Sequence, residues 1–238
     1  MSHSVFLHEP ELWSAAERDN RRTTCTELFY DLVFAALISQ VGSPLAIDYS
    51  FHGILRYELL LTLVFLAWLG YTTFSTQLAS DDLVEKLLIV AQIFLIAVMA
   101  ANANTSLSSR EAAGFGAAYG VVRVILALQY WRVISIAISR AIVRRRIIRL
   151  LIAAALWGVS AFLPAPERYN AWVIALSVDL TTSWPRTNET LLLPTGAVHF
   201  AERFGLLTII LLGELLPRLC VALRVSQPGV SRRPRPRC

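Results

Sequence analysis

Charge is what this chain has least of. Asp, Glu, Lys and Arg make up only 16% of its 238 residues, against about 25% in soluble domains. The mean hydropathy of +0.55 points the same way and leaves no room for a large soluble domain. Lysine is absent except for Lys86, so the net charge of +5 rests on arginine. In so apolar a chain that charge bears on membrane topology first, and no nucleic-acid partner is expected. Cysteine is scarce as well: Cys25, Cys220 and Cys238 form no C-x-x-C pair, which argues against a disulfide framework or a zinc site. The first 26 residues contain Glu9, Glu11, Glu17, Arg18, Asp19, Arg21 and Arg22 but no apolar run. A cleavable signal peptide is therefore not expected, and the first spanning helix is expected to direct insertion. No Walker lysine loop, nucleophile elbow or dinucleotide fingerprint occurs, so neither an enzyme nor a bound cofactor is expected.

What is present is a series of apolar runs at 27–47, 55–78, 84–103, 112–138, 147–163, 170–184 and 199–216. Several approach or exceed the roughly 18 residues that a spanning helix needs. Lipid cannot satisfy open backbone, so all should be helical, giving an all-α polytopic membrane bundle of six to seven spans with the bilayer as its partner. Homo-oligomerisation is left open. Pro44, Pro164, Pro166, Pro185, Pro194 and Pro217 sit at or just beyond the segment ends, where a missing N–H costs least. The expected organisation is a cytoplasmic segment 1–26, a transmembrane domain 27–216 and a tail 217–238. Arg18, Arg21 and Arg22 precede the first segment, and Arg140, Arg144, Arg145, Arg146 and Arg149 lie between the fourth and fifth. An even number of crossings puts both groups on the cytoplasmic side. The Pro/Arg-rich tail is discordant, since a seventh crossing would carry it outside. It reads either as a disordered basic tail or as a truncated or frame-shifted end.

The chemistry begins at Glu27-Leu-Phe-Tyr-Asp31, where two carboxylates four apart share a helix face. Thr24-Cys-Thr-Glu27 fits a capping box, which accounts for Glu27. Asp31 lies about 10 Å from that cap, where no backbone donors are free. It is either half of a buried ion pair or an ion or proton site. Its face continues through Ala35, Ser39 and Gly42, small residues suited to close helix packing. Arg123 or Arg203 is the expected partner.

Arg123 follows Gly116-Ala-Ala-Tyr-Gly120, a G-x-x-x-G pattern that admits another backbone. Its carboxylate partner should be Asp31, Glu58, Asp179 or Glu214. In the last segment, spacings of three and four bring His199, Glu202 and Arg203 together, and Glu214 returns to the Arg203 face about 16 Å further on. There is no H-E-x-x-H and no second intramembrane histidine, so no metal is expected, whereas His199 and Glu202 could relay protons. Gly205 and Gly213 are candidates for helix packing. Trp68, Tyr71, Phe74, Tyr130 and Trp131 read as interfacial belt or packing residues.

Three stretches together resemble the bacterial low temperature requirement A family: Arg22-x4-Glu27-Leu-Phe-Tyr-Asp31-Leu-Val-Phe, Tyr119-Gly-Val-Val-Arg123, and His199-Phe-Ala-Glu202-Arg203-Phe-Gly205 through Gly213-Glu214. The resemblance runs from about 18 to 216. It implies a helical, multi-pass protein of the bacterial inner membrane whose biochemical activity is unsettled. Family members are typically longer, which implies a chain truncated after Glu214. Each ionisable group at a bilayer centre costs about 2.5–3.5 kcal/mol on insertion scales. So many of them suggest movement of a proton, ion or small solute past Asp31, Arg123, Glu202 and Glu214. The alternative is a non-transporting sensor or assembly protein whose buried charges fix helix register.

Overall fold

A computed structural model describes residues 25–43, 50–78, 82–103, 110–135, 139–164, 167–183 and 197–225. Each apolar run falls on one helix: α1 (Cys25–Gly42), α2 (Phe51–Leu78), α3 (Leu83–Ala103), α4 (Arg110–Arg132), α5 (Arg140–Ser160), α6 (Glu167–Ser183) and α7 (Ala197–Val225). No strand occurs among the described residues. Four stretches are long and apolar enough to cross a membrane: Cys25–Gly42, Phe51–Gln77, Leu83–Ala103 and Ala112–Arg132.

The helices are sorted in a way that only lipid rewards. On α1, Glu27, Tyr30 and Asp31 are buried while Leu28, Phe29 and Leu32 face outward. On α3, Glu85 and Gln92 are buried while Leu87, Val90 and Phe94 are exposed. The bundle keeps its polar groups inside and coats itself with aliphatic and aromatic side chains, as hydrocarbon surroundings require. Among the largest fully buried side chains are Trp68, Trp157, Trp172, Arg123 and Arg203.

Two helix ends differ from the apolar runs. The arginines expected in the connection before residue 147 form the first turns of α5. Here Ile142, Val143, Arg146, Ile147 and Leu150 are buried, while Arg140, Arg144 and Arg145 are exposed. That three-to-four residue spacing is amphipathic, so averaging hydropathy along the chain hides it. The second difference is at α7, which runs through Pro217 to Val225, past the expected end at 216.

Sequential helices pack together from α3 to α6, and α1 lies against α3. Gly120 lets a neighbouring backbone come close: a Cβ there would sit 3.2 Å from the Ala154 carbonyl oxygen and from Trp157 Cβ of α5. This is the expected role of the G-x-x-x-G pattern, although Gly116 faces the Trp172 ring, at 3.4 Å, and not a backbone. Among the described residues Gly205 and Gly213 make no packing contact, since a Cβ at either meets nothing within 4 Å. They lie on α7, which packs chiefly against α1 and α2 at the edge of the bundle.

Candidate functional site: two buried ion pairs beside an apolar cavity

Asp31 takes Arg203 as its partner. One carboxylate oxygen accepts from Arg203 Nη2 at 2.7 Å and from the Trp68 indole N–H at 2.7 Å. Arg203 Nη1 donates to Ser75 Oγ at 2.7 Å, and its guanidinium lies over the rings of Tyr71 and Trp68, 5.5 and 5.9 Å from their centroids. Helices α1, α2 and α7 thus meet at one fully buried charge pair. The second oxygen of Asp31 makes no hydrogen bond among the described residues. Glu27, one turn earlier, is also buried and close enough to act electrostatically on Arg203. Its proposed cap, Thr24, lies outside the described residues. Trp68 is not an interfacial belt residue, because its indole N–H is committed to Asp31 inside the bundle.

Arg123 pairs with Asp179, the candidate on α6, at 3.1 Å. Its Nη1 donates to the Leu66 carbonyl of α2 at 3.4 Å and its Nη2 to the Tyr119 hydroxyl. The other Asp179 oxygen accepts from Trp157 Nε1 at 3.2 Å. The Arg123 side chain needs Gly70, where a Cβ would come within 2.9 Å of Nη1. Each arginine therefore has a carboxylate, and each carboxylate an indole. Leaving either charge alone in the bundle would cost several kcal/mol, which pairing and hydrogen bonds offset.

A third polar system was not foreseen. The Tyr30 hydroxyl donates to Gln92 Oε1 at 3.0 Å, Gln92 Nε2 to Gln129 Oε1 at 2.7 Å, and Gln129 Nε2 to Glu85 Oε1 at 2.7 Å. Arg132, at the end of α4, binds the other Glu85 oxygen at 3.3 Å and also Asp82. Lone glutamines within the third and fourth apolar runs were the available signal. Arg146 was equally unforeseen as a buried residue: its Nη1 donates to Gln77 Oε1 at 3.1 Å and to the Tyr130 hydroxyl at 2.9 Å.

A cavity of about 620 Å³ opens between α1, α2 and α7, lined by Ala35, Ser39 and Gly42 on one side and by Phe65, Phe204 and Leu207 among others. The small-residue face of α1 therefore lines this cavity, with Ala35 and Ser39 themselves buried. Phe204 stands edge-on to Trp68 with centroids 4.7 Å apart, so the cavity wall touches the residue that holds Asp31. Glu202 is exposed on α7, turned away from the Asp31 pair. The side chains of His199 and Glu214 lie outside the described residues. No group of three or more His, Cys, Asp or Glu comes together among the described residues.

Nothing among curated proteins or solved structures matches the chain. A family model does match, over residues 22–229, and its description is bacterial low temperature requirement A protein (LtrA). That span takes in both ion pairs, the amide chain and the cavity, and the chain belongs to the LtrA family of membrane proteins.

Proposed function

We propose that this protein binds a small, largely apolar solute in the α1–α2–α7 cavity and passes it when the Asp31–Arg203 contact releases α7. The observation that carries this reading is the cavity of about 620 Å³ abutting the ion pair that ties the edge helix to the bundle. Its size falls within the roughly 300–1,000 Å³ usual for small-molecule sites. The lining favours a solute over a bare ion, which would find few oxygen ligands there. Asp31 and Arg203 act as the latch, and the aromatic wall of Phe65, Phe204 and Trp68 transmits occupancy to it. Arg123 and Asp179 hold the scaffold against which α7 moves, while Glu202 has no part in the path. In this reading the protein works without catalysis, in the bacterial inner membrane, with its N-terminus on the cytoplasmic side that the arginines before α1 and at the start of α5 favour.

The test is uptake by proteoliposomes of a panel of labelled uncharged amphiphiles, comparing the natural chain with Leu207→Trp, which fills the cavity, and Asp31→Asn, which weakens the latch. Flux of at least one compound that Leu207→Trp abolishes and Asp31→Asn alters is expected. Absence of flux across the panel, or equal flux in all three proteins, refutes the reading.

A second reading, in which the charges only fix helix register, is favoured by the full burial of the Arg123–Asp179 pair between α4 and α6, away from the cavity. It expects the exchange Asp31→Arg with Arg203→Asp to retain both folding and cellular function, whereas a latch set in this cavity wall tolerates no reversal.

A further inference from the structure

The outward face of α5 changes character abruptly after its first turns. Arg140, Arg144 and Arg145 are exposed there, while Ile142, Val143, Arg146 and Ile147 turn inward. Neither Arg144 nor Arg145 has a hydrogen bond or an ion pair among the described residues. One turn further on, Ile148, Leu151, Ile152, Ala155 and Val159 are all exposed. Spacings of three and four residues put Arg144, Ile148, Leu151, Ala155 and Val159 in a single row, with Arg145 and Ile152 beside it. From Ile148 to Phe162 no exposed side chain is charged. The half-buried Arg149 turns instead toward α6, where it donates to the Thr181 carbonyl at 3.4 Å.

From this arrangement we infer that the arginine end of α5 binds the phosphate of an anionic phospholipid, whose acyl chain lies along the Ile148–Val159 row. Length is the first reason. The apolar face from Ile148 to Phe162 is about 21 Å long at 1.5 Å per residue, against roughly 30 Å of hydrocarbon core. So short a face thins the bilayer locally or draws its flanking residues down to the headgroups. Either way Arg144 and Arg145 meet lipid phosphates before bulk water. Charge is the second reason, because two neighbouring guanidiniums without a carboxylate leave a positive spot, and their planar donors match phosphate oxygens bidentately. A zwitterionic lipid carries its own ammonium to the same place and gains far less. Shape is the third: the row from Ile148 to Val159 is about 16 Å long, the depth of one leaflet, so a single acyl chain covers it. The site lies on the outside of the bundle. It rests on α5 crossing the bilayer, and neither on solute passage through the α1–α2–α7 cavity nor on the side that holds the N-terminus.

The test follows thermal unfolding of the full chain in dodecyl maltoside while phosphatidylglycerol, phosphatidylcholine or soluble glycerol phosphate is added at constant ionic strength. Phosphatidylglycerol should raise the midpoint saturably, by about 3–6 °C at ten times its dissociation constant. Phosphatidylcholine and glycerol phosphate at the same concentration should not. The double variant Arg144→Gln with Arg145→Gln changes only exposed side chains, so it should fold, and it should weaken apparent affinity for phosphatidylglycerol about 10–30-fold. Equal midpoints in the two phospholipids would overturn the assignment. So would a phosphatidylglycerol effect that the double variant keeps in full, which would place the headgroup elsewhere. An equal shift with glycerol phosphate would give the arginines to a soluble phosphate ester and overturn the lipid.

Discussion

At the scale of single residues, Asp31 and Arg203 are each tolerable only because the other is there. Removing one partner of a buried pair strands the remaining charge, at a cost of about 3–5 kcal/mol, whereas replacing both with apolar groups is often nearly neutral. Asp31→Asn and Arg203→Gln should therefore each lower unfolding free energy by about that amount, measured by denaturant titration in detergent micelles. Asp31→Leu with Arg203→Leu should lose far less than the sum of the single losses. Additive losses would mean that the two side chains are not coupled. Trp68→Phe keeps an aromatic ring but removes the pyrrole half with the N–H bonded to Asp31 Oδ1, and should cost at least about 1–3 kcal/mol. The need for a partner at Asp31 was legible in the sequence, because a carboxylate deep in an apolar helix is stable only beside a cation or a set of donors. The choice of Arg203 over Arg123 was not, since it depends on which helix lies against α1, and helical periodicity fixes faces without fixing neighbours. Gln92 and Gln129 escaped notice for a simpler reason: an uncharged amide barely lowers the hydropathy of its surroundings.

Among the helices, the glycines separate by what surrounds them. Gly120 has the α5 backbone against it, so Gly120→Val must push Ala154 and Trp157 apart, at a cost of about 1–3 kcal/mol. Gly205 has open space around it, so Gly205→Ala should be neutral or stabilising by up to about 1 kcal/mol through helix propensity alone. The same micelle titration checks both variants, and equal losses would contradict the packing of α4 on α5. The G-x-x-x-G spacing made the first case readable in advance. Gly205 and Gly213 had no such spacing to a packing partner, and only the position of α7 at the bundle edge shows them to be unpacked. The start of α5 was misplaced because amphipathic burial of Arg146 among exposed arginines averages to a polar stretch.

For the molecule as a whole, composition and the length of the apolar runs together indicated a helical membrane bundle, because only 16% of the residues are charged and several runs approach the roughly 18 residues that a span needs. Its arrangement about two ion pairs could come only from tertiary contacts. Orientation is testable on the same scale. With Cys25, Cys220 and Cys238 replaced by serine, Phe162→Cys after α5 should react with a membrane-impermeant maleimide in spheroplasts, since Phe162 is 91% exposed. Arg145→Cys, near the arginine-rich start of α5, should react only after permeabilisation. The opposite pattern would invert the topology, and equal labelling of both would mean that α5 does not cross. One more consequence concerns the run from Tyr30 to Glu85. Every donor in it points the same way, because a carboxylate can only accept and so forces Gln129 to present its nitrogen, Gln129 in turn does the same to Gln92, and Gln92 to the tyrosine proton. The charge on Glu85 therefore sets the sense of the whole chain. A neutral Glu85→Gln would let both amides turn over, and the hydrogen bonds between α1 and the Arg132 end of the bundle would lose their fixed sense.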